Sequence, residues 1–158
     1  MRGKVRKNLT ALLPDPIYGS LIVSKFIRYV MKNGKKSIAE KIVYRAIEDA
    51  GKRLKAKKLD SLLSETLEKA APIVEVRSRR VGGANYQVPV EVKEPRKTAI
   101  AMRWLLESAR AIKGKPIAQA LADEIVNINQ GTGATLKKRE DVHRMAEANR
   151  AFAHFARY

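Results

Sequence analysis

Arginine at strand spacing is the first feature of this sequence that carries chemistry. Within VEVRSRRVGGANYQVPVEV, residues 74–92, Arg77, Arg79 and Arg80 stand in a segment that alternates like a β-strand, breaks at Gly82-Gly83 and alternates again. A guanidinium offers a planar fork that fits phosphate and a flat face that stacks. Lysine would serve equally well if the only task were to keep an edge strand from pairing. Three arginines beside Tyr86, a ring able to stack on a base, point instead to nucleic acid.

The same chemistry recurs along the chain. Lys25, Arg28 and Lys32 share one face of a helical pattern. Lys35 and Lys36 precede a helix start, where open backbone N–H groups favour a phosphate. Arg96 and Lys97 lie at the entry to another helix, with Arg103 and Arg110 one row apart on it. Arg2, Lys4, Arg6 and Lys7 crowd residues 1–13, which hold no acid.

No arrangement suits catalysis, a metal or a cofactor. Gly34-Lys35-Lys36-Ser37 invites comparison with a phosphate loop, but the earlier glycine of that motif would fall at Tyr29, inside a helical pattern. His143 and His154 have neither cysteines nor HExxH spacing around them. The carboxylates Glu140 and Asp141 neighbour His143 on one helix, where adjacent positions point apart. No Gly-x-Ser-x-Gly is present, and Gly131 and Gly133 lack the spacing and the preceding strand of a dinucleotide loop. Trp104 reads as a packing residue.

The totals agree with a polyanionic partner. The chain has 158 residues, with 33 Lys plus Arg against 16 Asp plus Glu, a formal charge of +17. It has no cysteine, no apolar run long enough to cross a membrane and no signal-peptide core, so a cytosolic location is expected. The basic faces have no exposed aromatic face beside them, which disfavours a membrane surface. Their spread over many elements disfavours a DNA regulator with one recognition helix.

These cations need a scaffold, and the apolar spacing supplies one that is mainly α, a bundle of about six helices. The first is expected over Ser20–Lys32, stopped by Asn33-Gly34. A second follows with Ser37 and Glu40 as a capping box and Ile38, Ile42, Val43, Ala46, Ile47, Ala50 and Leu54 on its inner side. A third spans about Asp60–Ala71, and a fourth runs from about Thr98 to Ala111. Pro116 opens a fifth, which ends near Asn129, and the last covers about Lys138–His154.

Between the third and fourth helices lies an extended two-stranded β-hairpin, residues 73–92. If Val74, Val76, Val88, Val90 and Val92 share one face, a two-residue Gly82-Gly83 turn is the wrong length. The expectation is therefore a bulged or wider tip that projects from the domain. Arg77 and Arg79 would then point away from the valines, and Arg80 would lie on their side. Residues 1–158 form one domain, with 1–13 a flexible basic arm.

Several segments resemble a known family. Leu13-Pro14-Asp15-Pro16, the turn 33–37, VEVRSRRVGG at 74–83, YQVPVEV at 86–92, AMRW at 101–104 and KKREDVHRMAEAN at 137–149 are similar, in order, to ribosomal protein seven of the bacterial small subunit. The resemblance implies a structural, non-catalytic protein of the ribosome, cytoplasmic and without a cofactor. It implies a primary binder of the 3′ major domain of small-subunit rRNA that starts assembly of the subunit head. It further implies a place near the exit-site tRNA and the mRNA path, contact with small-subunit protein eleven, repression of its own message, and a monomer when free. On this chain the family's RNA surface would include the basic arm, the α-helical row at Lys25, Arg28 and Lys32, Lys35, Lys36 and the hairpin arginines. It would also include Arg96, Lys97, Arg103, Arg110, Lys113, Lys115, Lys137 and Lys138. Arg79, Gly82, Gly83 and Asn85 would face the tRNA exit side.

Overall fold

Apolar residues at helical spacing do most of the folding. A computed structural model describes residues 12–157 and shows α1 (Leu21–Val30), α2 (Lys36–Leu54), α3 (Leu59–Ala70), β1 (Val74–Val81), β2 (Ala84–Glu91), α4 (Arg96–Ala111), α5 (Ile117–Asn129), α6 (Ala134–Ala148) and a final 3₁₀ helix, Arg150–Arg157. The basic residues Arg2, Lys4, Arg6 and Lys7 lie outside the described residues. The architecture is mainly α, with an antiparallel hairpin between the third and fourth helices.

Helix α5 is the axis of the core. Ala118, Ala120, Leu121, Ala122, Ile125, Val126 and Ile128 are all buried, so it is enclosed on most of its circumference. Its alanines let α2 and α4 pack close. Around it gather Val43 and Ile47 of α2, Leu63 and Leu67 of α3, and Met102 and Leu105 of α4, and Phe26 and Ile27 of α1 extend the same core against α2 and α4. Burying side chains of this size contributes about 1.5–3 kcal/mol each, and the remaining faces are free to carry charge.

The approach to α1 is fixed by one buried acid. The Asp15 carboxylate accepts hydrogen bonds from the Ile17 and Tyr18 amides, at 3.1 and 3.0 Å, and from the Tyr44 hydroxyl of α2. Burial, the bond to Asp15 and that residue's charge push the Tyr44 phenol well above its ordinary pKa. Ser20 caps α1, its hydroxyl oxygen accepting from the Val23 amide at 3.5 Å.

Four expectations need correction. The capping box at Ser37 and Glu40 does not form: α2 begins at Lys36, Lys35 is its cap residue without a side-chain bond, and Glu40 pairs with Lys36 instead, at 3.4 Å. Beginning the helix two residues earlier places Ser37 inside it. Ile38 is not on the inner side; it is 54% exposed, and Ala39 takes the buried place. The last helix starts at Ala134 and ends at Ala148, where the Asn149 side chain bonds the Met145 carbonyl at 2.8 Å. The chain then tightens into the 3₁₀ helix, whose period puts Phe152 and Phe155 on one side.

The hairpin is the fourth correction. Gly82 and Gly83, with φ of 57° and 88°, make the two-residue turn itself. The register is Val81↔Ala84, Arg79↔Tyr86, Arg77↔Val88, Val76↔Pro89 and Val74↔Glu91. Arg77 and Arg79 therefore share a face with Tyr86, Val88 and Val90, and Arg80 shares one with Val74 and Val76. The valines do not need a common face, because both sides of the hairpin root are covered. Val88 and Val92 are buried, and Val74, Val76 and Val90 are half-buried. Helix α6 lies along β1, and the 3₁₀ helix lies along β2. The tip, residues 82–85, is exposed.

Candidate nucleic-acid interface

Helix α1 buries Val23, Phe26, Ile27 and Val30, which turns Lys25, Arg28 and Lys32 outward on the opposite side. All three are exposed and have no acidic partner among the described residues. Beyond α1, Asn33 and Gly34 adopt φ of 52° and 72° and reverse the chain into α2. Lys35 and Lys36 are exposed at this turn. The Lys36 amide bonds the Gly34 carbonyl at 2.9 Å, and no cap side chain takes up the Ser37 and Ile38 amides beside them.

The end of α4 and the start of α5 approach the same turn. Arg110 extends from α4 to the Val30 carbonyl at 3.4 Å, which covers the C-terminus of α1. Lys113 is exposed. Lys115 pairs with Asp123 at 2.9 Å, and Arg53 of α2 holds the other carboxylate oxygen. Hydrogen bonds from Arg53 and then Lys115 keep the Asp123 carboxyl below its usual range. Lys32, Lys35, Arg110 and Lys115 thus come together around an open groove of about 340 Å³. Lys25, further up α1, lies with Tyr29 across from Pro95 and Thr98 at the start of α4. Four of the expected cations, drawn from α4 and the two turns, therefore line one groove, and Lys25 lines a second one between α1 and α4.

At the hairpin the picture is mixed. Glu75 accepts from Arg77 and also from Arg96, whose Nη2 is 2.8 Å from its other oxygen. Burial, the largest influence, pushes the Glu75 carboxyl up, but hydrogen bonds from Arg96 and Arg77 outweigh it and hold it below the ordinary carboxylate range. Arg77 and Arg96 are about half exposed, so each shows its remaining donors to solvent. Arg103 bends back to the Ala99 carbonyl at 3.3 Å. Lys97 and Arg79 are half-buried, and Arg80, Gly82, Gly83 and Asn85 are exposed. Tyr86 is not a free base platform. Its ring lies 5.3 Å from that of Phe152 and 5.0 Å from that of Phe155, a cluster that fastens the C-terminal segment to the outer half of the hairpin.

Lys137 is exposed near the start of α6, and Lys138 reaches Glu107 of α4 at 2.9 Å. These two are set apart from the groove. His143 serves structure: its Nε2 accepts the Ile73 amide at 3.1 Å, tying the hairpin root to α6. Burial and then the charge of Arg139 hold its pKa below the ordinary value, so the neutral ring is favoured. Among the described residues no three His, Cys, Asp or Glu side chains gather as a metal site, and no helix is long and apolar enough to cross a membrane.

Glu75 and Asp123 were not singled out from the sequence, yet each organises two cations. A signal for Glu75 existed: it is two positions before Arg77 and so on the same strand face. Nothing local in the sequence ties it to Arg96, or Asp123 to Arg53.

Comparison with known proteins agrees with this geometry. A family model described as ribosomal protein S7p/S5e matches residues 2–150. The chain is 57% identical over 154 residues to "Small ribosomal subunit protein uS7" of Thermosipho melanesiensis, covering 98% of this chain and 96% of that protein. It is 53% identical over 155 residues to the protein of the same name from Dichelobacter nodosus, covering 98% and 99%. With that of Chloroflexus aurantiacus it shares 53% identity over 156 residues, covering 99% and 98%.

Proposed function

We propose, on the premise that the chain belongs to the ribosomal protein S7p/S5e family, a specific role for it as a structural, non-enzymatic component of the small ribosomal subunit. It binds the 3′ major domain of 16S-type rRNA directly and nucleates assembly of the subunit head. The whole chain, residues 1–158, acts as one RNA-binding domain in the cytoplasm and is a monomer before it joins the ribosome.

The observation that carries this reading is the gathering of Lys25, Lys32, Lys35, Arg110 and Lys115 on adjoining surfaces of a rigid bundle, with Arg28 exposed on the same helix. Lys36, Arg77, Arg79, Arg80, Arg96, Lys97, Arg103, Lys113, Lys137 and Lys138 extend the RNA surface, as do Arg2, Lys4, Arg6 and Lys7. Binding is chiefly to phosphate and to folded RNA shape. The hairpin tip at Arg79, Gly82, Gly83 and Asn85 faces the exit-site tRNA, close to the mRNA path. The C-terminal segment meets small-subunit protein eleven. Free protein in excess of rRNA represses its own message.

Chemical footprinting on a transcript of the 3′ major domain tests the reading. Protection of a confined set of nucleotides is expected. Affinity should also fall by ~10³–10⁵ between 50 and 200 mM salt if ~6–10 phosphates are neutralised. Unchanged reactivity throughout the transcript, or a flat salt titration, would refute it.

A further inference from the structure

The groove between the α1–α2 turn and the α4–α5 turn has an unusual lining for a phosphate surface. Its rim is cationic, at Lys32, Lys35, Arg110 and Lys115, but its floor is aliphatic. Ile38 is 54% exposed and Ile112 is 37% exposed, while Ile42 and Ile117 are partly buried beneath them. An exposed isoleucine pair contributes nothing to phosphate binding. It also fits a protein partner's apolar face poorly, since docking one would bury the surrounding ammonium groups.

A polyanion that itself carries an apolar face satisfies both parts. We propose that this groove seats one unpaired nucleotide of the rRNA, its base turned out of any helix and laid over Ile38 and Ile112, with the adjoining phosphates on the rim. The inference rests on the rRNA-binding reading and specifies the form of RNA recognised. A regular RNA duplex would meet the four cations with phosphate and leave the isoleucines wet, because its bases are stacked inside. Single-stranded loops and bulges can splay a base outward. The open volume of about 340 Å³ lies at the lower end of the ~300–1,000 Å³ typical of small-molecule sites. The Ser37 and Ile38 amides, which no cap side chain takes up, follow Lys35 at the start of α2 and give a phosphate neutral donors in addition to charge. Floor and rim are both needed: the floor selects for an unstacked base, and the rim holds its backbone.

The test separates apolar from ionic contributions by salt dependence. Binding of the full chain to the 3′ major domain transcript is measured from 50 to 200 mM salt for the wild type, for Ile38→Ser with Ile112→Ser, and for Lys32→Ala with Lys35→Ala. Circular dichroism checks the fold; both isoleucines are on the surface, so it should hold. The isoleucine variant is expected to bind roughly tenfold more weakly at every salt concentration with an unchanged slope, because it removes apolar contact only. The lysine variant should reduce the magnitude of the slope by about 2, near one per lost phosphate contact. Wild-type affinity in the isoleucine variant would overturn the proposal and leave the groove to a protein or to duplex RNA. A loss that comes with a changed slope would overturn it too, since the isoleucines would then act by placing the lysines. Failure of the wild-type chain to bind the transcript at any salt would instead sink the rRNA reading itself.

Discussion

Glu75 on β1 lies 2.8 Å from Arg96 at the start of α4 and is also paired with Arg77 on its own strand. Its side chain is only 12% exposed, whereas both arginines are about half in solvent. One carboxylate thus fixes the hairpin root to the helical body and orders two arginines whose remaining donors face solvent. The arginines lower the folded pKa of Glu75, so the unfolded chain takes up its proton first as pH falls. The stabilisation is complete above the ordinary value of 4.5 and is lost as pH drops through the lower folded value. Glu75→Gln should remove this part of the acid limb while leaving stability at pH 7 only modestly reduced. Denaturant unfolding at several pH values measures both, and an acid limb identical to the wild type would contradict the role.

His143 has the same sign for a different reason. Its neutral ring accepts the Ile73 amide, and burial and Arg139 disfavour its cation. The unfolded chain binds the proton near the ordinary value of 6.5, so the contribution is complete above 6.5 and disappears as pH falls toward the lower folded value. His143→Phe keeps the bulk and removes the acceptor. Ile73 is 61% exposed, and water can replace the lost bond, so the cost should not exceed about 1 kcal/mol. The pH dependence between 6.5 and that lower value should flatten. Faster hydrogen exchange at the Ile73 amide would place the effect at the hairpin root.

These two contacts mark how far the sequence could be read. Helices were legible because a 3.6-residue apolar period is strong over stretches such as α2 and α5. The hairpin was legible from Gly82-Gly83, but its register was not. Alternation shows which residues share a face only when a single face is covered. Here Val88, Val90 and Val92 lie on one face and Val74 and Val76 on the other, and all five are at least half-buried. The cations were visible as residue types, but their pairing was not, because Glu75 meets Arg96 and Lys115 meets Asp123 through the fold. The apolar groove floor escaped notice for a similar reason. Ile38 reads as a core residue by periodicity, but the buried stripe of α2 runs through Ala39, Val43, Ala46, Ile47 and Ala50, and Ile38 stands beside it at the exposed end of the helix.

The hairpin arginines can be tested as a group. Arg77, Arg79 and Arg80 changed together to Ala should leave helical circular dichroism intact, since the cluster at Tyr86, Phe152 and Phe155 and the buried Val88 still hold the strands. If the three contact phosphate, the slope of log affinity against log salt should fall in magnitude by about 2–3. A loss of helical signal would mean that these arginines build the fold and do not serve RNA.

The start of α6 depends on a residue from another helix. Glu124 of α5 is 3% exposed, and its Oε1 accepts the Thr135 amide at 2.7 Å, so it caps a helix whose own cap residue, Gly133, has no side chain. Gly133 has φ of 109°, and a Cβ there would lie 3.0 Å from Glu124 Oε1 and 3.1 Å from the Asn127 Cβ. The backbone must therefore stay bare for the carboxylate to reach the amide. Glu124→Ala leaves the Thr135 amide buried without its partner and should cost about 1–3 kcal/mol, which corresponds to roughly 2–4 °C in melting temperature per kcal/mol. Glu124→Gln keeps an acceptor oxygen and should lose less, while Gly133→Ala should be destabilising through both the positive φ and the close approach. Thermal melts rank the three variants, and hydrogen exchange at Thr135 and Leu136 locates the loss. If Glu124→Ala melted with the wild type, the cap would contribute nothing and α6 would be held by its packing against β1, α3, α4 and α5.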